Sequence, residues 1–301
     1  MKTKTNIILF VSLFLAGTIF SCAAVSDVAQ AAGAAGFVDP NAAKAISTSA
    51  KAIGTAAEEI NPEQEYYIGR AVAANILATY KLYTGNPKLT AYLNNICAAI
   101  TINSPRPDVY NGYHVALLDS NEINAFATSG GHILVTRGLV NAAKSEDALA
   151  GVIAHEAAHI QLKHSIKAIK NSRVTQAILV TGASAAGAAA GAAGMDIKQL
   201  TDVMNESVGE IVQTLVNNGY SQTQEFEADN TAMSLMASAG YNPAGLVEML
   251  KSLSSVQTSG AGFGKTHPSP AQRITNAEGS VTRYPVTNAT TRIARFNTIT
   301  K

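Results

Sequence analysis

Ser145-Glu146-Asp147-Ala148-Leu149-Ala150-Gly151-Val152-Ile153-Ala154-His155-Glu156-Ala157-Ala158-His159-Ile160 is the stretch on which the fold turns. It opens with a serine able to cap a helix and two acidic residues suited to the positive end of the helix dipole. Leu149, Val152, Ile153 and Ile160 make the segment apolar, and a helix is predicted from Ser145 to about Lys170. Residues four apart differ by about 40° around a helix axis, so His155 and His159 project from one face. Two imidazole nitrogens at that spacing can meet one zinc ion at about 2 Å each. Glu156, turned by about 100°, reaches the ion's open side and can take a proton from a zinc-activated water. One Zn2+ per chain is therefore expected.

A zinc site of this kind takes a third protein ligand and keeps a fourth position open. His164 is near, but on a continuous helix it lies about 140° from His159, so it is expected to cap or pack the helix end. Glu225, in Glu225-Phe226-Glu227-Ala228-Asp229, is the better candidate. Ser221-Gln222-Thr223-Gln224 is a capping box that opens the helix carrying it. Asp229 shares the face of Glu225 and can accept a hydrogen bond from a ligand histidine. Glu227 points elsewhere and reads as a solvated charge, and His114 reads as structural.

Before this helix, Asn61-Pro62-Glu63-Gln64 and Asn86-Pro87 each combine a capping asparagine with proline at the first helical position, and the second helix is predicted through Ile100. Tyr113–Leu118 and His132–Thr136 read as short strands, with Gly130-Gly131 permitting a tight turn between the strand regions. Beyond it, 174–195 is an Ala/Gly-rich insert in which Gly187-x-x-x-Gly191 suits close helix packing. Gly240 ends the Glu225 helix, Asn242-Pro243 opens the next, and the tail, 281–301, alternates enough to suggest a strand from Val281. The expected class is α+β: a mainly helical domain over 61–280, with a small sheet beside the zinc helix.

The chain starts with Lys2 and Lys4 ahead of an apolar run from Ile7 to Phe20. That length and charge pattern fits an export signal over 1–21 rather than a spanning helix. Ile19-Phe20-Ser21-Cys22 has the form of a bacterial lipobox, so Cys22 is expected to carry a lipid anchor, followed by an Ala/Ser/Gly-rich tether over 22–60. The remaining cysteine, Cys97, reads as a small buried hydrophobe. The net charge of +1 comes from scattered basic residues, so nothing favours nucleic acid as a partner.

Four ordered motifs together resemble one family. HEAAH (155–159), EFEAD (225–229), the run Asn124 to Leu139 containing Gly-Gly-His-Ile-Leu-Val-Thr, and His267-Pro268-Ser269-Pro270-Ala271-Gln272-Arg273 are similar to segments of the HtpX and CAAX prenyl protease family of gluzincin zinc metallopeptidases. Asn86 to Leu93 resembles that family's N-terminal helix, and the lipobox places the likeness with its exported lipoprotein members. The resemblance implies a zinc endopeptidase acting on extended or unfolded envelope polypeptides in the periplasm, with Glu225 as third ligand and Asp229 behind the ligands. It implies that Gly131, His132, Ile133 and Leu134 form an edge strand on which substrate lies. It further implies that His267 stabilises the oxyanion or occupies the metal at rest. His132 also reads as an ordinary strand histidine, and Arg273 as a residue holding the C-terminal loop, with contact to a carboxylate near the site as the second reading. Where the family often has Ser-Arg before ExEAD, this chain has Ser221-Gln222. The rival class is a chaperone-like binding lipoprotein with a latent or structural zinc site.

Overall fold

The computed structural model describes residues 60–167, 211–256, 262–267, 270–287 and 290–300, with a few isolated positions elsewhere. The export signal, Cys22, most of the tether and the 174–195 insert lie outside the described residues. Among those described, no helix is long and apolar enough to cross a membrane. The chain divides into two compact units, and everything below concerns the one formed by Ile60–Ile169 and Thr201–Lys301.

Helix α1 (Pro62–Thr79) starts as its sequence requires. Asn61 accepts from the Gln64 amide at 2.9 Å, and the Gln64 side chain accepts from the Asn61 amide at 3.0 Å. Helix α2 (Pro87–Thr101) is capped by Asn86 and buries Leu93, Ile96, Cys97 and Ile100 on one face. Strand β1 (His114–Leu118) follows, then β2 (Ala125–Thr128), a turn in which Gly130 and Gly131 have φ of 76° and 102°, and β3 (His132–Thr136). Those left-handed angles are the ones the paired glycines permit.

The sheet order is β1-β3-β2, with β1 parallel and β2 antiparallel to β3. This corrects the expectation that the strand of His132, Ile133 and Leu134 is an edge. It is central, and its backbone is paired on both sides, so no further chain can be added to it. The strand expectation missed β2, where Ala125-Phe126-Ala127-Thr128 is too short and too rich in alanine to announce itself. Of the two outer strands, β1 is already bridged at Leu118 by Leu82, and the Asn94 side chain bonds both the amide and carbonyl of Val115.

A short helix α3 (Arg137–Ala142) leads into α4 (Glu146–Gln161), the helix of the HEAAH motif. Nearly every residue of α4 is buried, because α2, the sheet, α5 (Gln222–Ser238) and α6 (Ala244–Val256) surround it. Small residues make that possible: a Cβ on Gly151 would lie 2.8 Å from the Leu246 Cα. The helix is pinned at both ends. Buried Glu146 accepts from Tyr92 Oη at 2.9 Å, Tyr241 Oη at 3.2 Å and Arg295 Nε at 2.8 Å. At the other end, Arg106 donates to the Ile160 carbonyl at 3.1 Å and pairs with buried Glu65 at 2.9 Å.

Two expectations are corrected here. Helix α4 stops at Gln161 rather than near Lys170, because Lys163 adopts φ 56° and turns the chain back. The tail is not a strand: after α7 (Phe263–Thr266) and α8 (Pro270–Val281), helix α9 (Thr290–Thr300) buries Phe296 in the main core. Arg292 and Arg295 of α9 pair with Asp147 and Glu146, so opposite charges at the start of α4 draw the tail onto it as a helix.

Candidate metal centre

Helix α4 presents His155 and His159 one turn apart, both 1% exposed. Helix α5, started by the Ser221–Gln224 capping box, brings fully buried Glu225 against them. The His155 and His159 Nε2 atoms are 3.0 Å apart, and each lies 3.5–3.6 Å from a Glu225 carboxylate oxygen. Atoms about 2 Å from one ion in a tetrahedral array sit roughly 3.3 Å from each other. The three residues therefore fit a small metal ion, and the expected trio is brought together.

His267 joins them. Its Nδ1 lies 3.2 Å from His155 Nε2 and 3.1 Å from Glu225 Oε1, and one donor atom from each of the four residues falls within 4.8 Å of the others. The ring is stacked on Phe263 at 4.3 Å, which fixes it in the cluster. Glu156 is fully buried beside the cluster, and among the described residues neither carboxylate oxygen has a hydrogen-bond partner. Burial raises its pKa, against the opposing pull of His267 and His155. A buried carboxylate without a hydrogen-bond partner is unusual in a folded core and sets Glu156 apart from the purely structural acids around it.

Behind the donors, Asp229 accepts from His155 Nδ1 at 2.9 Å, as its place one turn after Glu225 implies. Arg273 corrects the favoured sequence reading and follows the second: it is fully buried in the centre and meets the carboxylates there. Its Nε and Nη2 grip Asp229 at 2.8 and 2.6 Å, and its Nη1 lies 2.9 Å from Glu225. Burial alone would raise the pKa of both carboxyls, yet Arg273 outweighs it and holds both below their ordinary values. The departure from Ser-Arg is met locally, since Gln222 bonds Gln272 at 2.6 Å.

Other residues at the centre were not anticipated. Tyr220 lies flat on the His159 ring at 4.1 Å, and His164 touches His159, Nδ1 to Nδ1, at 2.8 Å. His164 is outside the metal donor set and packs the end of α4, as expected, but the turn at Lys163 brings it against His159 as a straight helix would not. Nothing local marks Tyr220, whose contact depends on how α5 meets α4. His132 stands apart from the metal donors; its ring faces Tyr66 at 5.2 Å. His114 bonds only the Asn111 carbonyl at 2.7 Å among the described residues.

Donor geometry of this kind on an α+β frame defines a metallopeptidase domain of the HExxH type. Comparison with known families makes the class specific: the chain belongs to peptidase family M48, whose family model matches residues 86–281 and so includes every residue of the centre. It is similar to the metalloprotease LoiP of Escherichia coli strain K12, 30% identical over 155 residues that cover 51% of this chain and 57% of that one. The beta-barrel assembly-enhancing protease of the same strain is 24% identical over 248 residues, 80% of this chain and 49% of its own. The mitochondrial metalloendopeptidase OMA1 of Schizosaccharomyces pombe is 29% identical over 196 residues, 63% of this chain and 52% of its own. The chain thus spans about half the length of the curated relatives it matches.

Proposed function

We propose that this chain is a zinc metalloendopeptidase that cleaves unfolded or misassembled proteins of a bacterial cell envelope. The observation that carries this reading is the buried His155–His159–Glu225 donor set with the unpartnered Glu156 carboxylate beside it. Two imidazoles and one carboxylate are a donor set that suits zinc in a catalytic rather than a structural site. When bound, zinc would polarise a peptide carbonyl and acidify a water. Glu156 accepts the proton of that water and delivers it to the leaving amine. Asp229 and Arg273 hold His155 and Glu225 in place and balance the buried charge.

Substrate is expected to lie along β2, since β3 is paired on both sides and β1 is bridged. Edge-strand addition reads mostly backbone, which favours extended and hence unfolded chains. Each β2 residue is at most 2% exposed, so access requires an opening. The segment of α7 supports such a gate: Phe263 donates to the Ile123 carbonyl at 2.8 Å and Thr266 to Asn124 at 3.0 Å, while His267 fills the fourth donor position. In this reading His267 shuts the site at rest. Attachment to a membrane through lipidated Cys22, facing the periplasm, rests on the lipobox, and the envelope role also draws on the beta-barrel assembly-enhancing relatives.

The test is cleavage of unfolded casein by the purified chain. Cleavage is expected, with loss on chelation, return on adding zinc, and a faster rate for His267→Ala. Zinc binding without cleavage by either form would favour the rival binding lipoprotein.

A further inference from the structure

A histidine that offers its Nε2 lone pair to a metal carries its proton on Nδ1, and the acceptor at Nδ1 selects that form. For His155 the acceptor is Asp229, at 2.9 Å. The recorded partner of His159 Nδ1 is instead the Nδ1 of His164, at 2.8 Å. His164 in turn places Nε2 3.2 Å from Glu227 Oε2. With a lone pair on His159 Nε2, only one proton arrangement satisfies both contacts. His164 Nε2–H donates to Glu227, and His159 Nδ1–H donates to His164 Nδ1.

We propose that His164 and Glu227 are positioning residues that form a carboxylate–imidazole–imidazole relay fixing the tautomer and orientation of the metal ligand His159. The surrounding structure is built to hold it. Lys163, in the left-handed conformation at φ 56°, turns His164 back beneath His159, and its ammonium is tied to buried Glu65 at 2.5 Å. A strained non-glycine residue persists where its surroundings over-determine it. The His164 side chain is fully buried, whereas Glu227 is 52% exposed, so the relay ends on a hydrated charge that costs little to keep ionised. Tyr220 stacked on the His159 ring at 4.1 Å restrains the same imidazole from its face. The three acidic residues of Glu225-Phe226-Glu227-Ala228-Asp229 then divide the work: one ligand, one direct support for His155, and one relayed support for His159.

The relay rests on the metal reading above, so its test measures zinc affinity rather than turnover. Zinc binding to the full-length chain is measured by competition with a chromophoric chelator, alongside melting of the metal-free protein. Glu227→Gln is expected to weaken zinc binding about 10-fold without shifting metal-free melting. His164→Leu is expected to weaken it by about 10–100-fold. His164→Gln, whose amide can accept from His159 and donate to Glu227, is expected to restore most of the loss. Unaltered affinity in both Glu227→Gln and His164→Leu would overturn the relay, as would a His164→Gln variant no better than His164→Leu. Failure of the unaltered chain to bind zinc would overturn the metal centre itself, and the relay with it.

Discussion

Glu156→Gln is expected to keep its metal and lose roughly 10²–10⁴-fold in kcat/KM on an unfolded polypeptide. The substitution preserves the side chain's volume and removes its charge along with its ability to take a proton. Among the described residues both Glu156 oxygens are buried without a hydrogen-bond partner, and His267 Nε2 lies 3.4 Å away. Because burial penalises the charge more than its neighbours offset it, the variant is also expected to melt no lower than the unaltered chain. Metal content, melting temperature and kcat/KM measured on the same preparation check all three statements. Loss of metal together with activity would assign Glu156 to holding the site rather than to proton transfer.

Arg273→Met is expected to cost about 3–5 kcal/mol of folding free energy, the range for stripping one partner from a buried ion pair. Arg273, Glu225 and Asp229 are all fully buried, and the guanidinium is the group that balances both carboxylates. Methionine fills much of the volume but leaves the two anions facing each other in a poor solvent. Equilibrium unfolding of the metal-free protein measures the loss. Zinc should recover part of it, since a bound cation stabilises the native state and supplies positive charge to the same carboxylates. A cost under about 1 kcal/mol would contradict the charge balance described here.

The two histidine donors were legible from local periodicity, whereas Glu225 and His267 were placed beside them by the family resemblance. A helix register alone sets His155 against His159, and a second register sets Asp229 one turn behind Glu225. The caps at Asn61, Asn86, Ser145 and Ser221 are likewise local chemistry. What escaped was decided by contacts distant in sequence. Strand alternation places Ile133 and Leu134 in a sheet but says nothing of who pairs with them; the edge position was implied by the resemblance alone, and the order β1-β3-β2 overturns it. His164 stays outside the metal donors as expected, but its contact with His159 was not legible, because it depends on the left-handed Lys163 held by Glu65 from α1. Arg273 reads first as a brace for the C-terminal loop, and its burial follows only from the buried carboxylates of α5 that require it. The tail's weak alternation gave way to helix because Arg292, Arg295 and Phe296 find partners around α4.

The proposed chemistry requires one ion held by His155, His159 and Glu225. Anomalous diffraction at the zinc edge, from crystals of the chain grown with zinc, tests it most directly. The predicted result is one strong peak about 2 Å from both Nε2 atoms and a Glu225 oxygen. A zinc peak elsewhere, with none between these three residues, would contradict it.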